Sequence, residues 1–525
     1  MSQSRRDFLL NNTMLGIGGM IGFSPFGKLL GEKILKQKPI SATKKNVLFL
    51  IVDDLRPQLG CYGHSETFSP NIDRLASRSV IFEREFCQQP ICMASRASLF
   101  SGYRPDHANI YSCKPVEELM PDALTLNRHF ENNGYQMWAT GKVYHFPIDH
   151  KMQFGANYHQ AKGNWVGRGY VSEEALKIID ERYTKGKKSK NTDDNEGTNK
   201  EDMRGPAFES PDVPDTVYAD GIQAEMAIAQ LEQFSKSDKP FFMAVGFRKP
   251  HLPFCAPKKY WDMYNQNDLK LAKNPLVPQG ATEFTYDNYS ELRNYYGIPQ
   301  GTEPIPDDLA RKLIQGYYAC VSYTDAQIGK LLETLDRLHL TEETIIVLTD
   351  DHGWKLGEHS MWCKHTPFEL DVHAPLIISV PGMNMKGERV SSITEHIDIY
   401  PTLCELCGLE LPIHLEGDSL LPVLKDPKSE FKKAAFSQWP KSNRDDPDKV
   451  ITAYSMVTDR YRYIEWTHNK SKKILARELY DHNVDPDENE NIAEYADSNK
   501  IVEQLSKKLD GGKGWKNFRS RKAVH

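Results

Sequence analysis

Three carboxylates follow apolar runs in this chain of 525 residues. Asp53 and Asp54 come directly after Asn46–Val52, and Asp351 lies just beyond Thr344–Leu348. A single aspartate there serves as well as a helix cap or turn residue, but three at converging strand ends make hard oxygen ligands suited to Ca²⁺. Cys92 lies four positions before Arg96 in Cys92-Met93-Ala94-Ser95-Arg96. Alone, that spacing marks only a helix start with a buried cysteine. Lys142 and His145 share the string Gly141-Lys142-Val143-Tyr144-His145, His251 follows Lys249-Pro250, and Lys364 comes shortly after Asp351-His352-Gly353. Lysines offset charge on transferring oxygens, and imidazoles give and take protons near neutral pH. Acid, base and metal positions are thus all available for hydrolysis of an anionic ester.

Bringing such residues together requires a sheet. Asn46–Val52, Phe241–Val245, Thr344–Leu348 and Leu376–Val380 are continuous apolar runs that read as strands buried on both faces, as in a parallel sheet. Helical patterns lie between them at 70–78, opening with Pro70, at 123–133, closed by Gly134, and at 217–234 and 307–336. Alternation of this kind predicts a doubly wound α/β fold, whose ligands sit beyond the carboxyl ends of the strands. The polar stretch 184–202 reads as an exposed loop. From about residue 430 the pattern changes. Tyr454–Thr458 and Tyr461–Trp466 predict a hairpin turning at Asp459-Arg460, with a helix at 499–509 after it. The expected organisation is a catalytic α/β domain over 43–430 and a smaller antiparallel α+β domain over 431–525, without internal repeats.

Composition sets the broad class. Hydrophobic residues make up 39% and charged residues 26%, an ordinary globular balance, and the net charge is −6. That charge argues against nucleic acid as a partner. No stretch of about 18 uncharged apolar residues supports stable membrane insertion. Arg5-Arg6-Asp7-Phe8-Leu9 followed by a Gly-rich apolar stretch makes 1–35 a twin-arginine-like export signal, which predicts a periplasmic protein. Nine cysteines, in an exported protein, leave at least one unpaired or chemically altered.

The segment Cys92–Gly102 with Tyr103-Arg104-Pro105 resembles the signature of the formylglycine-dependent (type I) sulfatase family, in which that cysteine is oxidised. Asp53-Asp54, Gly141–His145, Lys249-Pro250-His251, Asp351-His352-Gly353 and Lys364 are similar to the family pattern and fall in its order. The likeness runs from about residue 45 to 495, through Glu478-Leu479-Tyr480-Asp481. Asp53–Pro57, Gly60–Gly63 and Asp351–Trp354 resemble the iduronate-2-sulfatase branch. The resemblance implies an alkaline-phosphatase-like fold, with a large, mostly parallel sheet flanked by helices and a smaller C-terminal antiparallel domain. It implies calcium held by Asp53, Asp54, Asp351 and His352, with the formylglycine (3-oxoalanine) made from Cys92 completing the shell. Arg96 would orient that residue, Lys142 and Lys364 would clamp sulfate, His145 would take a proton, and His251 would protonate the leaving oxygen. His352 stands where most of the family carries Asn. Ala94 stands where the commoner signature has Pro, which fits a radical-type cytoplasmic maturase. The substrate implied is a sulfated oligosaccharide or polysaccharide: an algal polymer such as ulvan or carrageenan, or glycosaminoglycan fragments. Two alternatives are a phosphodiester or phosphonate monoester hydrolase of the same superfamily, and a non-catalytic glycan-binding protein with Cys92 unmatured.

Other residues carry weaker signals. Cys404 and Cys407 form a CxxC on an amphipathic segment with no second pair at zinc spacing, so core packing is expected. Trp138, Trp165, Trp354 and especially Trp362 are candidates for stacking on sugar rings. Arg56, Arg104, Arg248 and His365 flank the motifs and could meet a uronate or second sulfate. His107, His129, His150 and His359 have no assigned role.

Overall fold

The run Asn46–Val52 forms strand β1, with every residue buried. Alternate side chains serve opposite faces: Leu48, Leu50 and Val52 join one hydrophobic core, Val47, Phe49 and Ile51 the other. This computed structural model describes residues 44–107, 110, 114–188, 204–287, 289–383, 386–441 and 447–519. The proposed export segment 1–35, Cys113 and most of 184–202 lie outside them. The helix Glu173–Lys188 runs into the start of that last stretch, because lysine favours helix even without an apolar period.

Eight further strands build on β1: β2 (Val80–Phe86), β3 (Gln136–Gly141), β4 (Tyr158–His159), β5 (Phe241–Phe247), β6 (Thr344–Asp350), β7 (His373–Ser379), β8 (Glu388–Val390) and β9 (Thr394–Glu395). The spatial order is β8-β2-β7-β6-β1-β5-β3-β4, with β9 also on β2. The pairs β1–β5, β1–β6, β3–β5 and β3–β4 are parallel. Strand β7, however, is antiparallel to both β2 and β6, although its apolar run reads like the others. A strand buried on both faces advertises burial and not direction, and Pro375 coincides with a register shift against β2.

Helices cover the sheet: α1 (Pro70–Ala76), α2 (Cys92–Ser101), α3 (Leu126–Asn132), α4 (Ala219–Phe234) and α5 (Asp307–Arg337). Pro70 occupies the first turn of α1, where its missing N–H is harmless. All ten residues of α2 are buried, and Gly102 ends it at φ 74°. Cys404 and Cys407 lie in the core, as their spacing predicts.

A second sheet orders β10 (Ala434–Lys441), β11 (Ile451–Thr458), β12 (Tyr461–His468) and β13 (Ile474–Asp481), all antiparallel, with the helix Asn499–Leu509 packed on it. Trp439, Ala453, Ile464, Trp466 and Tyr480 belong to the same hydrophobic cluster as one face of the large sheet. Arg104 crosses between these regions, donating to Glu395 at 2.7 Å and to the Phe436 carbonyl at 3.2 Å.

Candidate active site

Parallel pairing of β1 and β6 sets Val52 opposite Asp350, which brings Asp53-Asp54 and Asp351-His352 to one end of the sheet. Asp54 turns the chain at φ 64°, and its N–H donates to Asp351 Oδ1 at 3.3 Å. Tyr317 on α5 donates to the Asp54 carbonyl at 2.8 Å and accepts from Arg56 N–H at 3.0 Å, fixing the loop from behind.

Arg96, on α2, ties these carboxylates together. Its Nε donates to Asp351 Oδ2 and its Nη2 to Asp53 Oδ1, both at 2.9 Å, and Nη1 reaches the carbonyls of Lys142 and Val143. Lys142 Nζ meets the other Asp53 oxygen at 2.5 Å. Burial pushes Asp53 and Asp351 up, but the cations around them together more than offset this, Lys142 with His251, Arg96 and Lys364 for the first and Arg96 with His352 and Lys142 for the second, holding Asp53 well below the usual range and Asp351 at about 2. Asp54 lacks that guanidinium. Burial and the neighbouring Asp53 raise it to about 7, against the pull of Lys364.

Cys92 opens α2 beneath this cluster. Its Sγ lies 3.3 Å from His352 Nε2 and 3.9 Å from Asp54 Oδ1. One donor atom from each of Asp54, Cys92, Asp351 and His352 falls within 4.8 Å of the others, and the same holds for Asp53, Asp54, Cys92 and His251. His352 Nδ1 is 3.0 Å from the Gly353 carbonyl, which assigns the proton to Nδ1 and turns the Nε2 lone pair toward the cluster. Three converging carboxylates are donors that fit a hard divalent cation, and the imidazole is the unusual member of that set. Burial, with Asp351 and Asp53 adding to it, pushes the Cys92 thiol well above its ordinary pKa, so the unmodified side chain is a poor nucleophile.

Lys364 stands opposite, its Nζ 2.9 and 3.0 Å from the two Asp54 oxygens and 3.0 Å from Glu291. His251 Nε2 is 3.1 Å from Glu291 Oε1 and 3.9 Å from Asp54 Oδ2. Burial, Lys364 and Lys142 draw His251 down to about 4. His145 is partly buried and is held at about 3 by desolvation and Lys142, with Asp53, Arg96 and His251 also acting on it. The structure therefore gathers Asp53, Asp54, Cys92, Arg96, Lys142, His251, Asp351, His352 and Lys364 by direct contact, and His145 by its electrostatic neighbourhood.

Several flanking residues turn out otherwise. Trp362 is 4% exposed and Trp354 fully buried, both in the core, so neither offers a face to a sugar. Arg56 is paired with Glu358 at 2.8 Å and Arg104 with Glu395, so both are structural cations. Arg248 is exposed and His365 half-buried against the Trp439 ring. Glu291, by contrast, gave no signal in sequence. It sits on the one-turn helix Ser290–Arg293, with neither spacing nor motif to mark it.

A mostly parallel sheet flanked by helices, a smaller antiparallel sheet, and acids and cations buried together at the strands' carboxyl ends make up an alkaline-phosphatase-like fold with a site suited to an anionic substrate. The sulfatase family profile matches residues 45–409, and a profile for the N-sulphoglucosamine sulphohydrolase C-terminal region matches 357–513. The chain is 34% identical to human (Homo sapiens) iduronate 2-sulfatase over 523 residues, covering 86% of this chain and 91% of that protein. It is 30% identical to a sulfatase of Formosa agariphila, covering 87% and 84%. The phosphonate monoester hydrolase of Agrobacterium radiobacter shares the fold, with TM-score 0.66 and 22% identity over 89% of this chain and 95% of that one. The chain belongs to the sulfatase family and is a sulfuric ester hydrolase. Among the described residues no helix is long and apolar enough to cross a membrane.

Proposed function

We propose that this sulfatase is exported to the periplasm by the twin-arginine route and releases sulfate from a sulfated carbohydrate, with Ca²⁺ and a formylglycine derived from Cys92. The observation that carries the reading is the convergence of Cys92 Sγ with donor atoms of Asp54, Asp351 and His352 inside 4.8 Å. Asp53, Asp54, Asp351 and His352 would hold the ion beside residue 92. When present, the two groups supply Lewis acidity and a hydroxyl nucleophile.

The remaining roles fall to side chains whose surroundings suit them. Arg96 is locked by two carboxylates and holds the helix start where residue 92 projects. Lys142 and Lys364 take the sulfate oxygens and offset their charge. His251 gives its proton to the departing oxygen. Burial does most to keep this ring neutral, and an anionic ester between the two lysines offsets the share that they add. His145, neutral at pH 7, accepts a proton as sulfate is shed. The reading assigns 43–430 to catalysis and 431–525 to a smaller flanking domain. Its substrates are polymers such as ulvan or carrageenan, or glycosaminoglycan oligosaccharides, and a cytoplasmic maturase acts on Cys92 before export.

Protein coexpressed with such a maturase, assayed on a panel of sulfated oligosaccharides and analysed by mass spectrometry of the Cys92 peptide, tests this. Sulfate release that tracks the oxidised peptide and is abolished in Cys92→Ala is the expected result. Full activity with an unmodified thiol, or aryl phosphate hydrolysis outrunning aryl sulfate hydrolysis, would overturn it.

A further inference from the structure

One carboxylate touches both Lys364 and His251, the side chains proposed as sulfate clamp and leaving-group donor. Glu291 lies 3.0 Å from Lys364 Nζ and 3.1 Å from His251 Nε2, with its side chain 13% exposed. The turn that carries it is firmly held. Arg293 Nη1 donates to the Pro299 carbonyl at 2.6 Å, its Nη2 donates to Tyr289 Oη at 2.5 Å, and Leu292 is buried. Lys364 is 1% exposed at the side chain and has Asp54 as its other anion. Without Glu291 the ammonium would settle wholly on Asp54, away from the sulfate position and in competition with a cation for the same oxygens.

We infer that Glu291 is a positioning residue: by gripping Lys364 Nζ and His251 Nε2 on one carboxylate, it fixes the sulfate clamp and the leaving-group donor relative to each other. This rests on the roles proposed for Lys364 and His251. In the step it serves, the S–O bond to the sugar breaks with its electron pair going to the sugar oxygen. The nucleophile oxygen enters already deprotonated and forms the new S–O bond, while the imidazolium of His251 passes the Nε2 proton it shares with Glu291 to the sugar oxygen and keeps its Nδ1 proton on the Leu252 carbonyl. Glu291 touches neither sulfur nor the sugar oxygen in this step. Its effect is geometric, through the two side chains it holds.

Substrates with different leaving groups separate this from a structural role. A sugar oxygen needs the proton from His251, whereas para-nitrophenolate departs with little help. In matured Glu291→Gln, which keeps size and a hydrogen-bond acceptor, inorganic sulfate should inhibit about tenfold more weakly through loss of Lys364 placement. Turnover of a sulfated oligosaccharide should fall by about tenfold or more while that of para-nitrophenyl sulfate changes by less than about threefold. The melting temperature should stay unchanged, and Glu291→Asp, which keeps the charge, should recover part of both losses. Unchanged sulfate inhibition together with equal falls on both substrates, or no change in either measurement, overturns the inference. His251→Ala is the control. If it too treats both substrates alike, the role given to His251 fails, and the place of Glu291 is then decided by the sulfate inhibition constant alone.

Discussion

Arg96 and Asp351, 255 residues apart in the chain, meet through a 2.9 Å Nε to Oδ2 contact in which neither side chain is more than 1% exposed. The same guanidinium reaches Asp53. One helix-borne cation is therefore the main charge partner of Asp351 and shares Asp53 with Lys142, whereas Asp54, out of its reach, depends on Lys364.

Removing that cation should expose its structural weight. Asp53 keeps Lys142, but Asp351 loses its guanidinium, and breaking such a buried pair costs about 3–5 kcal/mol, so Arg96→Ala should lower unfolding stability by that order. Arg96→Lys should not rescue it, because an ammonium lacks the planar fork that spans two acids. Urea unfolding monitored by fluorescence reads both, and an Arg96→Lys protein as stable as the parent would contradict this account.

Calcium should stabilise the fold. Chelator-treated protein is expected to gain about 2.7 kcal/mol when the ion is restored at a hundred times its dissociation constant. Asp351→Asn should abolish most of the gain, and magnesium, which demands tighter octahedral geometry, should substitute poorly. Thermal unfolding with and without each ion gives the answer. A melting curve indifferent to calcium would remove the ion from this site.

His150 and Glu488 are two of the groups that make the fold sensitive to acid. His150 accepts a hydrogen bond from Tyr144 N–H at 2.9 Å, and burial lowers it from 6.5 to about 3. The unfolded chain therefore takes up that proton first, and stability falls as pH drops from about 6.5 towards 3. Glu488 goes from 4.5 to about 2: burial raises it, and Arg462 and His482 more than offset that. Its contribution is complete above about 4.5 and is lost as pH falls towards 2, at up to about 1.4 kcal/mol per pH unit. Glu488→Gln should flatten the lower part of the stability profile and leave the His150 part in place. A profile that keeps its full slope below pH 4.5 in this variant would refute the assignment.

Gly141 ends β3 at φ 73°, and a Cβ there would lie 1.9 Å from the Gly246 carbonyl oxygen. Gly141→Ala should cost about 2–4 kcal/mol and displace the adjoining Lys142. Sulfate hydrolysis should fall further than the loss of folded protein explains, which circular dichroism and assays on the same samples can separate.

Much of the architecture was legible because its signals are local. β1, β5 and β6 announce themselves as unbroken apolar runs, and the hairpin at Asp459-Arg460 and the helix Asn499–Leu509 fall where pattern and turn chemistry put them. Strand β2 carries no continuous apolar signature, because Glu83, Arg84 and Glu85 interrupt it. The antiparallel course of β7 is not encoded locally for a different reason, since burial on both faces carries no sense of direction.

The candidate site divides along the same line. Sequence alone determined the residue types, the order of the motifs and the strand ends at which the acids stand, since neighbours within a few positions carry that information. Tertiary packing decided everything that depends on long-range proximity: that Lys364 meets Asp54 across 310 positions, that Arg56 and Arg104 are spent on internal ion pairs, that Trp362 is core, and that Glu291 belongs to the site at all. Such contacts arise where strand order and loop closure bring remote segments together, and no local spacing encodes them.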